Sequence, residues 1–132
     1  MKKFLSVLFV VLFLFTIAAH AEENVASLRA RAERGDAEAQ NELGEFYENG
    51  LGGLEKSEAR AFEWYSKSAE KGNRDAQYNL ARFFYRGILV SKSYEKAIDW
   101  YEKAAAQNNA DAINSLAYMY THGQGYRVNY KK

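Results

Sequence analysis

The feature that most constrains this chain is a sequence motif that recurs at a nearly constant spacing. The segment GDAEAQ at 35–40 returns as GNRDAQ at 72–77 and as NNADAI at 108–113, at offsets of 37 and then 36 residues. The segments that follow stay aligned, since 61–69 matches 97–105 at an offset of 36 residues. A fixed period of this length indicates a stack of similar structural units.

The apolar residues within each unit follow a helical period. Ala39, Leu43 and Tyr47 fall at i, i+4 and i+8, which is the spacing of one helix face. Trp64 and Trp100 occupy equivalent places and are predicted to pack between successive units. We predict two helices per unit, the first ones near 37–49, 74–86 and 110–122, and the second ones near 58–71 and 94–107.

Residues with capping chemistry stand at the predicted helix boundaries. Ser57 and Ser93 precede the second helices, where a hydroxyl accepts a hydrogen bond from an exposed amide. Gly50 and Gly87 follow the first helices, where glycine adopts the left-handed conformation without steric cost. The predicted caps of the first helices are Asp36, Asn73 and Asn109.

The first 21 residues have the pattern of an export signal. Two lysines precede an apolar stretch at 4–17 that contains only two hydroxyl residues and has the length of a signal core rather than of a membrane span. The sequence AHA at 19–21 presents small residues at the positions a signal peptidase reads. We therefore expect cleavage after Ala21, a periplasmic or secreted location, and no membrane contact after cleavage. An uncleaved membrane anchor is the alternative.

Composition excludes several classes of function. The chain has 18 basic and 17 acidic residues, a formal charge of +1, no cysteine and two histidines. This balance is too weak to drive binding to nucleic acid. Without cysteine the chain has no disulfide and no thiol nucleophile, and a histidine-rich metal site is equally excluded. We expect no metal and no cofactor.

The remaining chain, 22–132, is predicted to form one repeat domain. Val25, Leu28 and Ala32 lie 37 residues before Phe62, Tyr65 and Ala69, so the lead helix at 24–34 resembles a second helix of the repeat. The predicted units are repeat one at 35–71, repeat two at 72–107 and a partial repeat three at 108–132.

The third unit ends before its second helix, which leaves one face of helix 110–122 without its usual neighbour. Leu116 and Tyr120 should then remain partly exposed, unless the tail folds back, a second copy docks or a partner covers them. Homo-oligomerisation or partner docking at this open end is therefore one expectation. A frayed end without function is the other.

These residues carry a resemblance to a known repeat family. The pattern of Gly-Asp-Ala-x-Ala-Gln, a Leu-Gly pair, a Tyr and a Gly, followed by Ala-x-x-Trp-Tyr-x-Lys-x-Ala, resembles the Sel-1-like repeat, a relative of the tetratricopeptide repeat. The resemblance covers 24–132 and implies an all-α, right-handed α/α superhelical solenoid. Members usually serve as scaffolds or adaptors for other proteins, often in bacterial envelopes. The paired cysteines of the secreted cysteine-rich branch are missing here.

A partner-binding face is predicted on the side of each first helix that points away from Leu43 and its equivalents. In an α/α solenoid this row lines the concave surface. Tyrosine and arginine are enriched where partners are bound, so the chain is expected to bind a protein or peptide there. The predicted centre is Tyr78, Arg82, Tyr85 and Tyr118, and the flanking residues are Asn41, Glu45 and Asn114. The alternative is that the tyrosines only bridge neighbouring first helices.

The sequence offers two alternative functions. The Ser-x-x-Lys spacing of β-lactamase-like, penicillin-binding enzymes occurs at Ser68 with Lys71 and at Ser93 with Lys96. No Ser-Asp-Asn or Lys-Thr-Gly follows either serine, so we predict no catalysis. A periplasmic immunity or inhibitor protein that binds an antibacterial effector is the alternative within the binding class, by analogy with other exported members.

Overall fold

The computed structural model describes residues 2–126, apart from the side chains of 18–23, and its secondary structure is helical. Six helices follow one another along this part of the chain. The part of predicted repeat three beyond residue 126 lies outside the described residues. The helices are α1 (Lys2–Glu33), α2 (Ala37–Asn49), α3 (Glu58–Glu70), α4 (Arg74–Arg86), α5 (Tyr94–Ala106) and α6 (Ala110–Thr121).

The helix boundaries confirm the predicted period to within one residue for α2 to α6. Repeat one is built from α2 and α3, repeat two from α4 and α5, and α6 is the first helix of the third unit. Each helix packs mainly against its neighbours in sequence. This nearest-neighbour order is the architecture of an α/α solenoid, and it confirms the predicted fold class.

Helix α1 is longer than the predicted lead helix 24–34, which forms only its last part. No glycine or proline interrupts 2–33, so nothing in the local sequence breaks the helix between the apolar stretch and the repeats. Leu28 and Ala32 are buried in the core cluster that includes α2, and Val25 is buried next to Gly52 of the α2–α3 loop, whereas the apolar side chains from Phe4 to Ile17 are exposed. Within the described residues, no helix combines the length and apolar character needed to cross a membrane.

The predicted caps form as expected. The hydroxyls of Ser57 and Ser93 accept hydrogen bonds from the amides of Arg60 and Lys96 at 3.3 and 3.2 Å. Gly50 and Gly87 end α2 and α4 in the left-handed conformation. The side chains of Asp36, Asn73 and Asn109 likewise cap α2, α4 and α6.

The centre of repeat one is a tyrosine ring that lies on a glycine. Tyr65 of α3 is fully buried, and a methyl group at Gly44 of α2 would come within 2.6 Å of the ring. Ala81 and Tyr101 are the equivalent buried pair in repeat two. The two tryptophans lie at the edge of the core. They contact it but remain half-buried, and Lys67 and Lys103 lie over their rings at 4.5 and 4.1 Å from the centroids.

The open end of the stack is partly covered by the segment that follows α6. Gly125 lies so close to Ile98 and Tyr94 that a β-carbon there would meet both at 2.8 Å. Tyr126 contacts the Tyr120 ring edge to face. Tyr120 nonetheless stays 71% exposed and Leu116 is only half-buried, as predicted for a first helix without its second helix.

A buried glutamine marks a difference between the two repeats. In repeat two, Gln77 Oε1 accepts a hydrogen bond from Gln107 Nε2 at 3.0 Å, and Gln107 also donates to the Gly72 carbonyl at 2.8 Å. In repeat one the residue aligned with Gln107 is Lys71, which donates only to the Gly35 carbonyl at 2.6 Å. The Oε1 atom of Gln40 therefore has no hydrogen-bond partner among the described residues.

We predict that Lys71→Gln stabilises the protein, because the new amide supplies the hydrogen bond that Gln40 lacks. The free energy of unfolding should rise by about 1 kcal/mol, measured by urea denaturation. Lys71→Met is the control, since it removes the ammonium and adds no donor. Equal stability of the two variants would contradict the explanation.

Candidate functional site

Three of the predicted binding residues lie in a polar network that joins repeat one to repeat two. Asn41 of α2 is buried. It donates a hydrogen bond to Glu45 at 3.0 Å and accepts one from Asn79 of α4 at 3.1 Å. Asn79 in turn accepts a hydrogen bond from Arg82 at 3.2 Å. The hydrogen-bonding groups of these side chains are thus paired with one another across the boundary between the repeats.

The strongest link in this network is the ion pair between Arg82 and Glu48. The guanidinium approaches the two carboxylate oxygens at 3.0 and 3.4 Å, and both side chains are about four-fifths buried. Burial alone lowers the pKa of Arg82, but the attraction of Glu48 outweighs it and raises that pKa. The Tyr65 hydroxyl donates to the same carboxylate at 2.6 Å. Burial, reinforced by Glu48, raises the pKa of Tyr65, so this phenol stays protonated.

Glu45 is the residue of the network whose charged form is destabilised. Partial burial raises the pKa of its carboxyl, repulsion from Asp75 adds to the shift, and the hydrogen bond from Asn41 opposes it. The charged form of Glu45 therefore carries a desolvation cost that its hydrogen bonds do not fully offset.

A second group of predicted residues lines a cavity between α4, α5 and α6, here called the aromatic cleft. Its volume is about 240 Å³. Burial raises the pKa of Tyr101, on its floor, to about 12, so its hydroxyl keeps its proton at neutral pH. The lining residues are Tyr85, Tyr101, Asn114, Ser115, Tyr118 and Met119.

The walls of the aromatic cleft are held by neighbouring side chains. The Tyr85 hydroxyl donates to Gln124 Oε1 at 3.1 Å, and its ring lies 5.5 Å from that of Tyr94. Tyr118 is 51% exposed and stacks on His122, with the ring centroids 4.0 Å apart. The cleft is therefore pre-formed on one side and open to solvent on the other.

The structure thus separates the predicted row into two parts. The polar network takes Asn41, Glu45 and Arg82, whereas the aromatic cleft takes Tyr85, Asn114 and Tyr118. The seventh residue, Tyr78, is half-buried against the Tyr101 ring at 5.7 Å between centroids. Tyr78 thus contacts Tyr101, which lines the cleft, but does not line the cleft itself.

Sequence reasoning missed the α5 contribution to this site. Tyr101 aligns with the core residue Tyr65 and is itself buried, so the repeat pattern gives no sign that it also lines a cavity. Asn79 was missed because the repeat alignment pairs Asn41 with Tyr78, whereas in the structure Asn41 bonds to the next residue, Asn79. No local signal in the sequence identifies that diagonal pairing.

The two Ser-x-x-Lys pairs are used for structure. Ser68 is fully buried, and its hydroxyl donates to the Ala37 carbonyl at 2.5 Å. Ser93 caps α5. Among the residues described, no group of three or more His, Asp or Glu side chains is placed to hold a metal ion.

We predict that Arg82 and Glu48 are energetically coupled. A double-mutant cycle with Arg82→Ala and Glu48→Ala should give an interaction free energy of about 1 to 3 kcal/mol in urea denaturation, because each single change strands a partly buried charge. The matched control is the pair Lys67 and Glu63, which is exposed on α3 and should couple by at most about 0.5 kcal/mol. Equal coupling in the two cycles would overturn this role for Arg82.

We predict that Glu45→Gln raises stability near neutral pH. The raised pKa means that the folded state binds the Glu45 proton more tightly than the unfolded state, so this contribution to stability is present at low pH and is lost as the pH rises through the folded pKa. Glutamine keeps an acceptor for Asn41 and carries no charge.

Thermal unfolding should show the gain at about pH 7, and the gain should shrink as the pH falls toward 4.5, the ordinary pKa of a glutamate. Glu42→Gln, at an exposed position of the same helix, controls for the loss of one negative charge. A gain that grows on acidification would contradict the prediction.

Comparisons with known proteins agree with this architecture. A Sel1 repeat protein from Oxalobacter formigenes matches with a TM-score of 0.70 and 34% identity, covering 77% of this chain and 76% of that one. The protective antigen c5321 of uropathogenic Escherichia coli, which displays an SLR fold, matches with a TM-score of 0.75 and 31% identity over 80% of this chain and 22% of that one.

Sequence comparison points to the same family. The ERAD-associated E3 ubiquitin-protein ligase component HRD3A of Arabidopsis thaliana is 33% identical over 66 residues, 50% of this chain and only 10% of that protein's length. The Sel1 repeat model matches 37–73, 74–109 and 110–132. The chain belongs to the Sel1 repeat family.

Proposed function

We propose that this chain is a non-catalytic interaction module of the bacterial periplasm that binds a protein or peptide partner at the aromatic cleft. Sel1 repeat proteins are generally protein–protein interaction modules. The proposal places the binding centre at the boundary of repeat two and the third unit, on the concave row formed by the first helices of the repeats.

The observation that carries the proposal is the chemistry of the aromatic cleft. Tyr85 and Tyr118 supply rigid contact area at low entropic cost next to the buried Tyr101, and Asn114 and Ser115 add hydrogen-bonding groups. A volume of about 240 Å³ is below that of most cofactor sites. It suits one or two side chains of a peptide.

The position of the polar network supports the same site. Glu48 and Arg82 neutralise each other inside the protein, so the row over repeat one offers less free charge to a partner than its sequence suggests. Tyr118 and Asn114 are exposed and take no part in this network.

Export is supported by the sequence of the first 21 residues and by the exposure of their apolar side chains. Those from Phe4 to Ile17 are exposed to solvent, whereas the part of α1 that follows packs on α2. Removal of the segment up to Ala21 would leave the buried contacts of Val25, Leu28 and Ala32 intact.

The test is capture of a partner from periplasmic extract by the exported protein, whose mass should show that it begins at Glu22. Tyr118→Ala combined with Asn114→Ala should abolish capture, because both side chains line the aromatic cleft. The melting temperature should change little, since both are exposed.

The matched control is Tyr120→Ala, which removes an even more exposed tyrosine from another face of α6. Capture should survive this change. Loss of capture only in Tyr120→Ala would move the binding site to the open end. If none of the variants affects capture, the assignment of the binding site to the cleft is contradicted.

A further inference from the structure

Two arginines from different helices converge on one buried tyrosine hydroxyl in repeat one. Arg29 of α1 and Arg60 of α3 each donate a hydrogen bond to Tyr47 Oη, both at 3.2 Å. Tyr47 itself is 5% exposed. Two like charges are thus held close to the same oxygen atom.

The described side chains supply no counter-charge within ion-pair distance. Their four ion pairs involve other cations, so no carboxylate oxygen of these residues lies within 4.0 Å of Arg29 or Arg60. Lys56 adds a third cation to the lining, and the exposed Glu55 is the acidic residue there. Such an excess of positive charge favours an anion.

Two cavities lie beside the two arginines. One of about 400 Å³ is lined by Tyr47 and Arg60, and one of about 190 Å³ is lined by Arg29. Both include Gly53 and Leu54 in their linings. A β-carbon at Gly53 would meet nothing within 4 Å. The two cavities share this part of the α2–α3 loop as a wall, and each contains one of the two arginines. They are here together called the groove.

Repeat two shows that core packing does not require this arrangement. Its equivalent pair is Lys96 over the Phe84 ring at 5.5 Å, which matches Arg60 over the Tyr47 ring at 5.3 Å. The residue aligned with Arg29 is Ser66, which bonds only to its own helix. A cation over a ring is therefore the shared structural element, and the hydroxyl and second arginine are additions of repeat one.

These groups keep hydrogen-bonding capacity that the described residues do not use. The Tyr47 oxygen accepts from both arginines, and its own proton has no acceptor among the described residues. Each guanidinium also keeps further donors after its bond to Tyr47. Converging O–H and N–H donors of this kind bind carboxylates in a forked geometry.

We propose that this groove binds a carboxylate of an acidic peptide segment, independently of the aromatic cleft. The guanidinium groups of Arg29 and Arg60 and the Tyr47 hydroxyl hold the carboxylate, and the cavities on either side take the adjoining peptide. The Glu55 carboxylate at the rim disfavours a doubly charged phosphate more strongly than a singly charged carboxylate.

The test uses a blocked hexapeptide of alternating Asp and Gly, with the Asn counterpart as the uncharged control, followed by NMR. The acidic peptide should shift the side-chain Nε–Hε resonances of Arg29 and Arg60 and the amide of Gly53. The affinity should fall as salt rises. No shift, or equal shifts with the Asn peptide, would overturn the proposal. Inorganic phosphate that shifts these resonances while the peptide does not would also overturn it.

Variants distinguish binding at this site from attraction by the overall charge of the protein. Arg29→Gln and Arg60→Gln should each weaken binding by about tenfold, whereas Arg34→Gln, an exposed arginine next to the end of α1, should leave it nearly unchanged. Tyr47→Phe removes only the hydroxyl and reproduces the ring of Phe84, so it should fold normally and still bind more weakly. Equal losses in Arg34→Gln, or full binding by both folded Arg→Gln variants, would contradict the site.

Discussion

The fold depends on the close approach of paired helices, and a tyrosine ring on a very small residue sets that approach. Gly44 beneath Tyr65 and Ala81 packed with Tyr101 let the second helix of each repeat come near the first while the ring is fully buried. Such rings contribute several kcal/mol each through burial and contact. The third unit has its small residue at Ala117, and this residue is exposed. The same constraint therefore accounts for the helix pairing in the two repeats, and Ala117 shows the equivalent small residue without a ring packed on it among the described residues.

The burial of these rings also decides which polar groups are left for partners. Tyr65 brings its hydroxyl to Glu48, and Glu48 brings Arg82 across from the next repeat. The charges of Glu48 and Arg82 are in this way paired with each other inside the protein. Tyr101 has no such carboxylate, and its ring edge contributes to a cavity. The positions aligned with Glu48 and Arg82 at the next boundary are Tyr85 and Tyr118, so two tyrosines that line an open cleft stand there in place of a buried ion pair.

The sequence predicted the helices because capping residues and helical period act locally. Ser57, Ser93 and Gly50 each determine a helix end within one turn, so spacing alone locates them. The candidate site was only half predictable. Helical rotation places Tyr85, Asn114 and Tyr118 on one row, but the pairing of Arg82 with Glu48 spans 34 residues. Long-range pairing of this kind depends on how the repeats are displaced relative to one another, and no local pattern encodes that displacement.

The segment after α6 has a wider significance for how members of such a family are compared. Gln124 holds Tyr85, and Gly125 fits against Tyr94 and Ile98, although none of these contacts belongs to the helical consensus. Variation in this short connecting stretch would thus change the walls of the aromatic cleft while every repeat signature stays intact. Alignments that score only the helices would treat proteins with differently shaped clefts as equivalent.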